Sequence, residues 1–349
     1  MLQSVTKSEL SFPGPAITPD AARAKAVEAP RDIAATQRPG TGNVQTTLRS
    51  NIAFTGVGLH TGQRARMRIL PASANYGIWF RRTDVVGRDA LVPARWDAVT
   101  DTRLCTRLGN AAGVTVSTVE HLMAALAGCG IHNALIEIDG PEVPILDGSA
   151  RPFVDAILAR GLRRLPAPVT CFEVLEPVEV RDGAAWARLD PAASLVIDFR
   201  IDFADAAIGR QAKRLDMANG AFVRELSDCR TFCRQSDVER MRASGLALGG
   251  SYDNAVVVDG DRVLSPGGLR HPDEAVRHKM LDALGDLALA GAPLLGRYSA
   301  ERAGHALTNR LLHALFATPG AFRLIDCGPE AHARLPGTGV DRADVPAVA

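Results

Sequence analysis

The clearest periodic pattern in the chain lies in residues 277–289. Apolar side chains recur there at the spacing of an amphipathic helix. They are Met280, Leu281, Leu284, Leu287 and Ala288. His278, Asp282 and Asp286 follow one another at intervals of four residues, so a helix would place all three on one face. An imidazole and a carboxylate one turn apart can bind the same metal ion, although most charged faces of this kind are simply solvated.

Three shorter segments have the composition and alternation of strands. Residues 47–54, 65–70 and 76–80 each predict one strand. The turn after the first strand contains Gly56 and Gly58. This pair lacks the third glycine and the following helix of a dinucleotide-binding motif, which argues against a nucleotide cofactor at this position.

Two further helices are indicated by their start signals. Ser117 is followed three residues later by Glu120, which is the spacing of a capping box, and Gly128 is placed to end the helix. Ser149 predicts the N-cap of a second helix over residues 151–160. A glutamate in a capping box needs no catalytic role, so this pattern alone assigns no chemistry to Glu120.

The order of the predicted elements indicates an α+β protein of two similar domains, each a sheet with packed helices. The first domain spans residues 46–166 and the second residues 169–335, and the proline-rich residues 166–168 are the best candidate linker. Residues 1–45 are rich in Ala and Pro and predict a disordered extension, and residues 336–349 predict a disordered tail.

The overall composition excludes several classes of protein. The 349 residues are 46% hydrophobic and 23% charged, with a net charge of +1, so a nucleic-acid partner is not expected. No apolar run approaches the ~20 residues of a membrane span, and we expect no stable membrane insertion. The start of the chain has no secretory signal pattern. The six cysteines form no CxxC pair, which favours free thiols in a reducing, cytoplasmic compartment.

A catalytic zinc ion takes three protein ligands and leaves a fourth position to water. His278 and Asp282 could supply two of them, so the third must come from a distant part of the chain. The candidates are His60, His121, His132, His271, His305 and His313. His121 follows Glu120, and a glutamate beside a ligating histidine is the general base of zinc proteases. His305 follows a glycine at a predicted helix start and is a candidate second acid–base group.

Six short segments, in a fixed order within residues 46–315, form a specific combination. They are residues 117–122, 124–128, 144–150, 248–251, 277–287 and 304–307. Together they resemble the UDP-3-O-acyl-N-acetylglucosamine deacetylase family, the zinc amidases of the committed step of lipid A synthesis in Gram-negative bacteria. The resemblance implies two α+β domains with the active site between their helices.

The resemblance also implies a metal site and a base. His121, His278 and Asp282 match the zinc ligands of the family, and Glu120 matches its general base. One catalytic Zn²⁺ is expected, with Fe²⁺ as the alternative ion in the cell. Zinc-activated water would then hydrolyse the acetamide of UDP-3-O-acyl-N-acetylglucosamine, releasing acetate and a free amine.

Five more positions match residues that handle the substrate. His305 matches the protonated histidine that stabilises the oxyanion and protonates the leaving amine, and Asp286 matches its carboxylate partner. Thr231 matches a hydroxyl that hydrogen-bonds the tetrahedral intermediate. Lys279 and Phe232 match a lysine and an aromatic residue that bind the substrate.

Residues 233–258 match the insert that forms the acyl-chain passage of the family. The substrate-binding residues expected there are Val238, Leu248, Gly250 and Ser251, with Met241 and Leu246 also apolar. These apolar residues are equally compatible with a structural core. The chain departs from the family pattern in the extension before Thr46 and at Cys229 and Cys233, where other small or apolar residues are expected.

Two other classes of function fit the same residues. One is a zinc amidohydrolase acting on a different N-acetyl sugar. The other is a non-catalytic protein that binds a nucleotide sugar or a metal ion, with Glu120 serving only as a cap. For the deacetylase, the expected partner is its UDP-linked substrate, and the expected state is a monomer.

Overall fold

The computed structural model describes residues 43–346, which form an α+β fold as predicted. Residues 1–42 of the expected disordered extension lie outside the described part of the chain. The helices are α1 Glu120–Gly128, α2 Arg151–Arg160, α3 Ala221–Glu225, α4 Gln235–Ala243, α5 Glu274–Ala288, α6 His305–Ala317 and α7 Pro329–Ala333. Two 3-10 turns lie at Trp96–Ala98 and Arg342–Asp344.

The strands are short and numerous. They are β1 Val44–Leu48, β2 Ile52–Val57, β3 Arg64–Pro71, β4 Ile78–Arg82, β5 Leu91–Pro93, β6 Val99–Asp101, β7 Arg107–Gly109, β8 Thr115–Val116, β9 Ala134–Ile138, β10 Leu162–Pro168, β11 Thr170–Val174, β12 Val178–Asp182, β13 Ala185–Asp190, β14 Leu195–Asp202, β15 Arg210–Asp216, β16 Phe232–Arg234, β17 Val256–Asp259, β18 Arg262–Val263, β19 Leu294–Glu301 and β20 Phe322–Asp326.

Two larger sheets organise these strands. The first has the order β2-β3-β9-β4-β5, and the second has the order β12-β13-β19-β11-β20, with β14 also paired to β19 and β15 to β14. In β3 the residues alternate strictly, with Ala65, Met67 and Ile69 buried between exposed arginines. This alternation lets one face of the sheet join the core while the other remains in water.

The single strand predicted over residues 47–54 is wrong. β1 ends at Leu48, and β2 begins at Ile52. β1 pairs with β10, whereas β2 pairs with β3, so the chain changes sheets between them. The Arg49 N–H donates to the Gly161 carbonyl at 2.9 Å, which holds the chain at this corner. Sequence alternation carries no information about such a change of partner.

The predicted linker, residues 166–168, forms the end of β10 in the two-stranded pairing with β1. Both strands are edge strands of this ribbon, a position where prolines are tolerated because no further ladder bond is lost. At the other end of the chain, the 3-10 turn Arg342–Asp344 has a capping box made by Asp341 and Asp344. Within the described residues, no helix has the length and apolar content required to cross a bilayer.

Helices α1 and α5 approach each other closely at Gly285. A Cβ atom at this position would lie 2.0 Å from the Glu120 carbonyl oxygen, so only glycine permits the contact. In the apolar stripe predicted for α5, Met280, Leu281, Leu284 and Leu287 are buried, and Ala288 at its end is half-buried. Its acid–base face is buried too, with His278, Asp282 and Asp286 exposed by only 2%, 6% and 3%. The interpretation of this face as solvated is therefore excluded.

Candidate active site

A cavity of about 630 Å³ opens where α1 and α5 meet. Helix α1 contributes Glu120 and His121 to its wall, and α5 contributes His278, Lys279 and Asp282. His305, at the start of α6, completes the wall on that side. Residues separated by more than 150 positions in the sequence therefore face one space.

Three donor groups converge at the base of this cavity. The Nε2 atoms of His121 and His278 lie 3.6 Å and 3.3 Å from Asp282 Oδ1. All three donor atoms lie within 4.8 Å of one another. Donors at ~2.0–2.1 Å from a tetrahedral ion are separated by roughly 3.3 Å, so the arrangement fits a single zinc-sized ion.

The hydrogen bonds around these three side chains leave the atoms that face one another available to bind an ion. Asp282 Oδ1 is buried and has no hydrogen-bond partner among the described residues, while Oδ2 accepts from Lys279 Nζ at 2.8 Å. His278 donates from Nδ1 to the Cys229 carbonyl at 2.9 Å, which leaves the Nε2 lone pair for a ligand. Support of this kind from a backbone carbonyl is typical of metal-binding histidines.

The protonation states of His278 and Asp282 also suit the binding of a metal cation. Burial lowers the pKa of His278 to about 4, so its imidazole is neutral at pH 7. Burial raises the pKa of Asp282, but the adjacent Lys279 ammonium outweighs this effect, and the pKa of Asp282 lies well below its usual range. A neutral imidazole and an ionised carboxylate are the forms that bind metals.

The capping box predicted for α1 is absent. The helix begins at Glu120 after Val119, and no side chain caps it. Thr118 has a left-handed backbone with a φ of 57°, which takes Ser117 away from the helix start. Glu120 Oε2 instead accepts the Thr106 N–H at 3.1 Å, so its carboxylate is free of a capping role and lines the cavity.

His305 lies between two buried carboxylates, Asp286 and Glu120. Its Nδ1 atom lies 2.7 Å from Asp286 Oδ2, and its Nε2 atom lies 3.8 Å from Glu120 Oε1. The Thr106 hydroxyl donates to the other oxygen of Asp286 at 2.6 Å. Residues 106, 120, 286 and 305 thus form one connected network, in which Thr106 is the member that no sequence pattern indicated.

Two pKa values in this network are raised, each for a different reason. Burial raises the pKa of Glu120. Burial lowers the pKa of His305, but the charges of Asp286 and Glu120 prevail and raise it to about 9. His305 is therefore a cation at neutral pH, and Glu120 is a stronger base than an ordinary carboxylate.

The segment that carries Thr231 and Phe232 is fixed by a buried ion pair. Arg230 Nε lies 2.9 Å from Glu274 Oε1, and both side chains are almost fully buried. The Arg230 N–H also donates to Glu274 at 2.9 Å. Thr231 and Phe232 consequently line the cavity, with the Phe232 ring 6.4 Å from that of His278.

The other residues expected at the substrate divide into two groups. Val238, Gly250 and Ser251 line the cavity. Leu248 does not belong to this lining, and it is 55% exposed. Apolar character alone could not distinguish Val238, which lines the cavity, from Leu248, because the side-chain direction depends on how the loop after α4 folds.

Sequence reasoning gave no role to Glu142, which organises the entry to α1. This buried carboxylate accepts from the Thr118 hydroxyl at 2.8 Å and from the backbone N–H groups of His60 and Thr61 at 2.9 Å and 2.8 Å. Both ring nitrogens of His60 are buried without a hydrogen-bond partner in the part of the chain that the structure describes, and His60 lines the cavity. His60 was one of six candidate ligands, and its contact to Glu142 could not be derived from spacing.

The other candidate histidines lie elsewhere. His132 Nδ1 accepts the Thr46 N–H at 3.1 Å. The His313 ring packs edge-on against Trp96 at 4.6 Å. His271 contacts Asp228, away from the residues that line the cavity.

Comparison with known proteins adds independent findings. A family model, LpxC, described as UDP-3-O-acyl N-acetylglycosamine deacetylase, matches residues 45–317. A UDP-3-O-acyl-N-acetylglucosamine deacetylase of Phenylobacterium zucineum (strain HLK1) is 53% identical over 280 residues, covering 80% of this chain and 96% of the relative.

Two more relatives carry the same name. The protein of Anaeromyxobacter sp. (strain Fw109-5) is 50% identical over 281 residues, covering 80% of this chain and 91% of its own length. That of Shewanella frigidimarina (strain NCIMB 400) is 47% identical over 289 residues, covering 82% and 94%. The resemblance found in the sequence is thereby confirmed.

Proposed function

The chain belongs to the UDP-3-O-acyl N-acetylglycosamine deacetylase family, and from this premise we propose that it hydrolyses the acetamide of UDP-3-O-acyl-N-acetylglucosamine. The products are acetate and UDP-3-O-acyl-glucosamine. This reaction places it at the committed step of lipid A biosynthesis, in the cytoplasm of a Gram-negative bacterium. The observation that carries the proposal is the partnerless Asp282 Oδ1 facing two imidazole nitrogens beside Glu120.

Zn²⁺ is the ion we assign to His121, His278 and Asp282, because two imidazoles and one carboxylate are typical ligands of catalytic zinc. Bound there, the ion supplies a Lewis acid that lowers the pKa of water towards ~7 and polarises a carbonyl. The pairing of Asp282 Oδ2 with Lys279 supports this assignment, since it orients the carboxylate so that Oδ1 faces the histidines.

Glu120 is the general base of the proposed reaction. Its carboxylate lines the cavity next to the three donors, and its raised pKa lets it accept a proton from the attacking water. The Thr106 N–H holds Oε2, so Oε1 is the oxygen available for the proton.

His305 is the general acid. Held as a cation by Asp286, His305 donates a hydrogen bond from Nε2 to the oxygen that gains negative charge. It then transfers this proton to the departing amine. The Thr231 hydroxyl is a second donor to the same oxygen. The Nε2 atom lies 3.8 Å from Glu120 Oε1, so the proton that Glu120 takes from water can return to His305 and restore its cation after the amine has left.

The rest of the cavity is assigned to the substrate. Lys279 and Phe232 bind the sugar, and Val238, Gly250 and Ser251 flank the acyl chain. The apolar part of the wall, which includes Val257 and Met241, supports an apolar ligand there.

An assay of acetate release tests the proposal. The zinc-loaded protein is given UDP-3-O-acyl-N-acetylglucosamine and, in parallel, UDP-N-acetylglucosamine without the acyl chain. We expect turnover of the acylated substrate and a large loss without the acyl chain. Equal turnover of both would favour an amidohydrolase for another N-acetyl sugar, and no turnover of either would favour a binding protein.

A further inference from the structure

A second group of metal-binding side chains lies outside the cavity. His271 Nε2 is 3.0 Å from Asp228 Oδ1, and Cys229 Sγ is 3.8 Å from the same oxygen. The three donor atoms lie within 4.8 Å of one another. Among the described residues, only this group and the group of His121 bring three such donors together.

The proposed deacetylation makes no use of these three residues. None of them lines the cavity. The His271–Asp228 contact alone is an ordinary half-buried hydrogen bond, and it gives no role to the buried thiol beside it. A thiol, an imidazole and a carboxylate together are a typical donor set for zinc.

We propose that Asp228, Cys229 and His271 bind a second zinc ion, separate from the first. Sulfur and oxygen donors around a tetrahedral zinc ion are separated by roughly 3.6 Å, close to the 3.8 Å observed. Asp228 and His271 are half-buried, so water reaches the outer side of the site and supplies the fourth ligand. Binding converts the Cys229 thiol to a thiolate and releases one proton to solvent.

The second site lies directly behind the first. The Cys229 carbonyl accepts the hydrogen bond from His278 Nδ1, and Arg270 donates to the Asp228 carbonyl at 2.6 Å. Two residues further along, Thr231 lines the cavity. An ion on the Cys229 sulfur therefore fixes the peptide that orients a ligand of the first site, which gives the second ion a structural role.

Cobalt titration separates the two sites. The first site has no sulfur donor, so only the second can give thiolate-to-cobalt charge-transfer absorption when the full chain, stripped of metal by a chelator, receives Co²⁺. We expect this band in the unmodified protein at two equivalents, with two ions retained per chain. Cys229→Ser and His271→Gln should each lose the band and retain one ion.

Two controls identify the source of the signal. Cys105→Ser removes a buried thiol next to Thr106, near the first site, and should keep the band. His121→Ala weakens the first site and should also keep it. His271→Gln changes a half-buried side chain, so it tests the site even if Cys229→Ser folds poorly. Absence of the band in the unmodified protein, or its persistence in His271→Gln, would overturn the proposal.

Discussion

A buried carboxylate oxygen without a hydrogen-bond partner costs stability, and Asp282 Oδ1 is such an atom. Its cost is explained if a cation replaces the missing partner. The same residue could be predicted from the sequence because its spacing to His278 is that of a helical turn. The absence of any other partner for Oδ1 among the described residues could not be predicted from the sequence, because the surrounding donors come from residues far along the chain.

Glu120→Gln keeps the shape of the side chain and removes the proposed general base. Loss of a general base typically reduces turnover by ~10²–10⁴, so we expect a fall in this range with the metal content unchanged. Acetate release and metal analysis on the same sample measure both. Glu330→Gln, at an exposed position in α7, should leave turnover unaltered. Near-full activity of Glu120→Gln would show that another group takes the proton.

Asp286→Asn should change the pH profile. The pKa of His305 is raised from 6.5 to about 9, where Asp286 and Glu120 oppose the effect of burial. The cation therefore persists below about pH 9, and activity that depends on it declines as the pH rises through that value. Without the Asp286 charge, we expect the alkaline limb to move ~1–3 units lower.

The measurement for Asp286→Asn is kcat/KM against pH. Thr106→Val removes a hydrogen bond to Asp286 but keeps its charge, so it should move the alkaline limb far less. An alkaline limb at the same pH in Asp286→Asn would mean that His305 is not the acid that titrates.

At the scale of elements, helix α5 was the easiest to predict and α1 the most misleading. The period of α5 identified its buried stripe, and the structure adds only three residues at its start. For α1, Ser117 and Glu120 had the correct spacing for a cap, but the left-handed Thr118 separates them. Glu142 holds the Thr118 hydroxyl, and so tertiary contacts override the local signal.

The contact between α5 and the segment that carries Arg230 depends on Glu274. Removing one partner of a buried ion pair leaves the other charged and unpaired, so Glu274→Ala should reduce the free energy of unfolding by ~3–5 kcal/mol. Urea unfolding measures this loss. Asp259→Ala, which breaks the exposed pair with Arg262, should cost less than ~1 kcal/mol.

A double variant sharpens the Glu274 experiment. Arg230→Met with Glu274→Leu removes both charges of the pair, and should be less destabilised than Glu274→Ala alone. If Glu274→Ala unfolds at the same urea concentration as the unmodified protein, the ion pair with Arg230 does not contribute to the free energy of unfolding.

At the scale of the whole molecule, composition and element order were enough to predict an α+β fold. The division into domains over residues 46–166 and 169–335 stays a prediction, as do the monomeric state and the absence of a nucleic-acid partner. The resemblance implied that α1 and α5 meet, but periodicity could not show how, because their close approach depends on the missing side chain of Gly285 against the Glu120 backbone. That contact brings the two halves of the proposed zinc site together.

Anomalous scattering at the zinc edge, from crystals of the zinc-loaded protein, tests this convergence most directly. We predict an ion ~2.0–2.2 Å from His121 Nε2, His278 Nε2 and Asp282 Oδ1, with Glu120 facing its open side. Crystals in which no zinc lies between these three atoms, while zinc occupies other residues, would contradict the account.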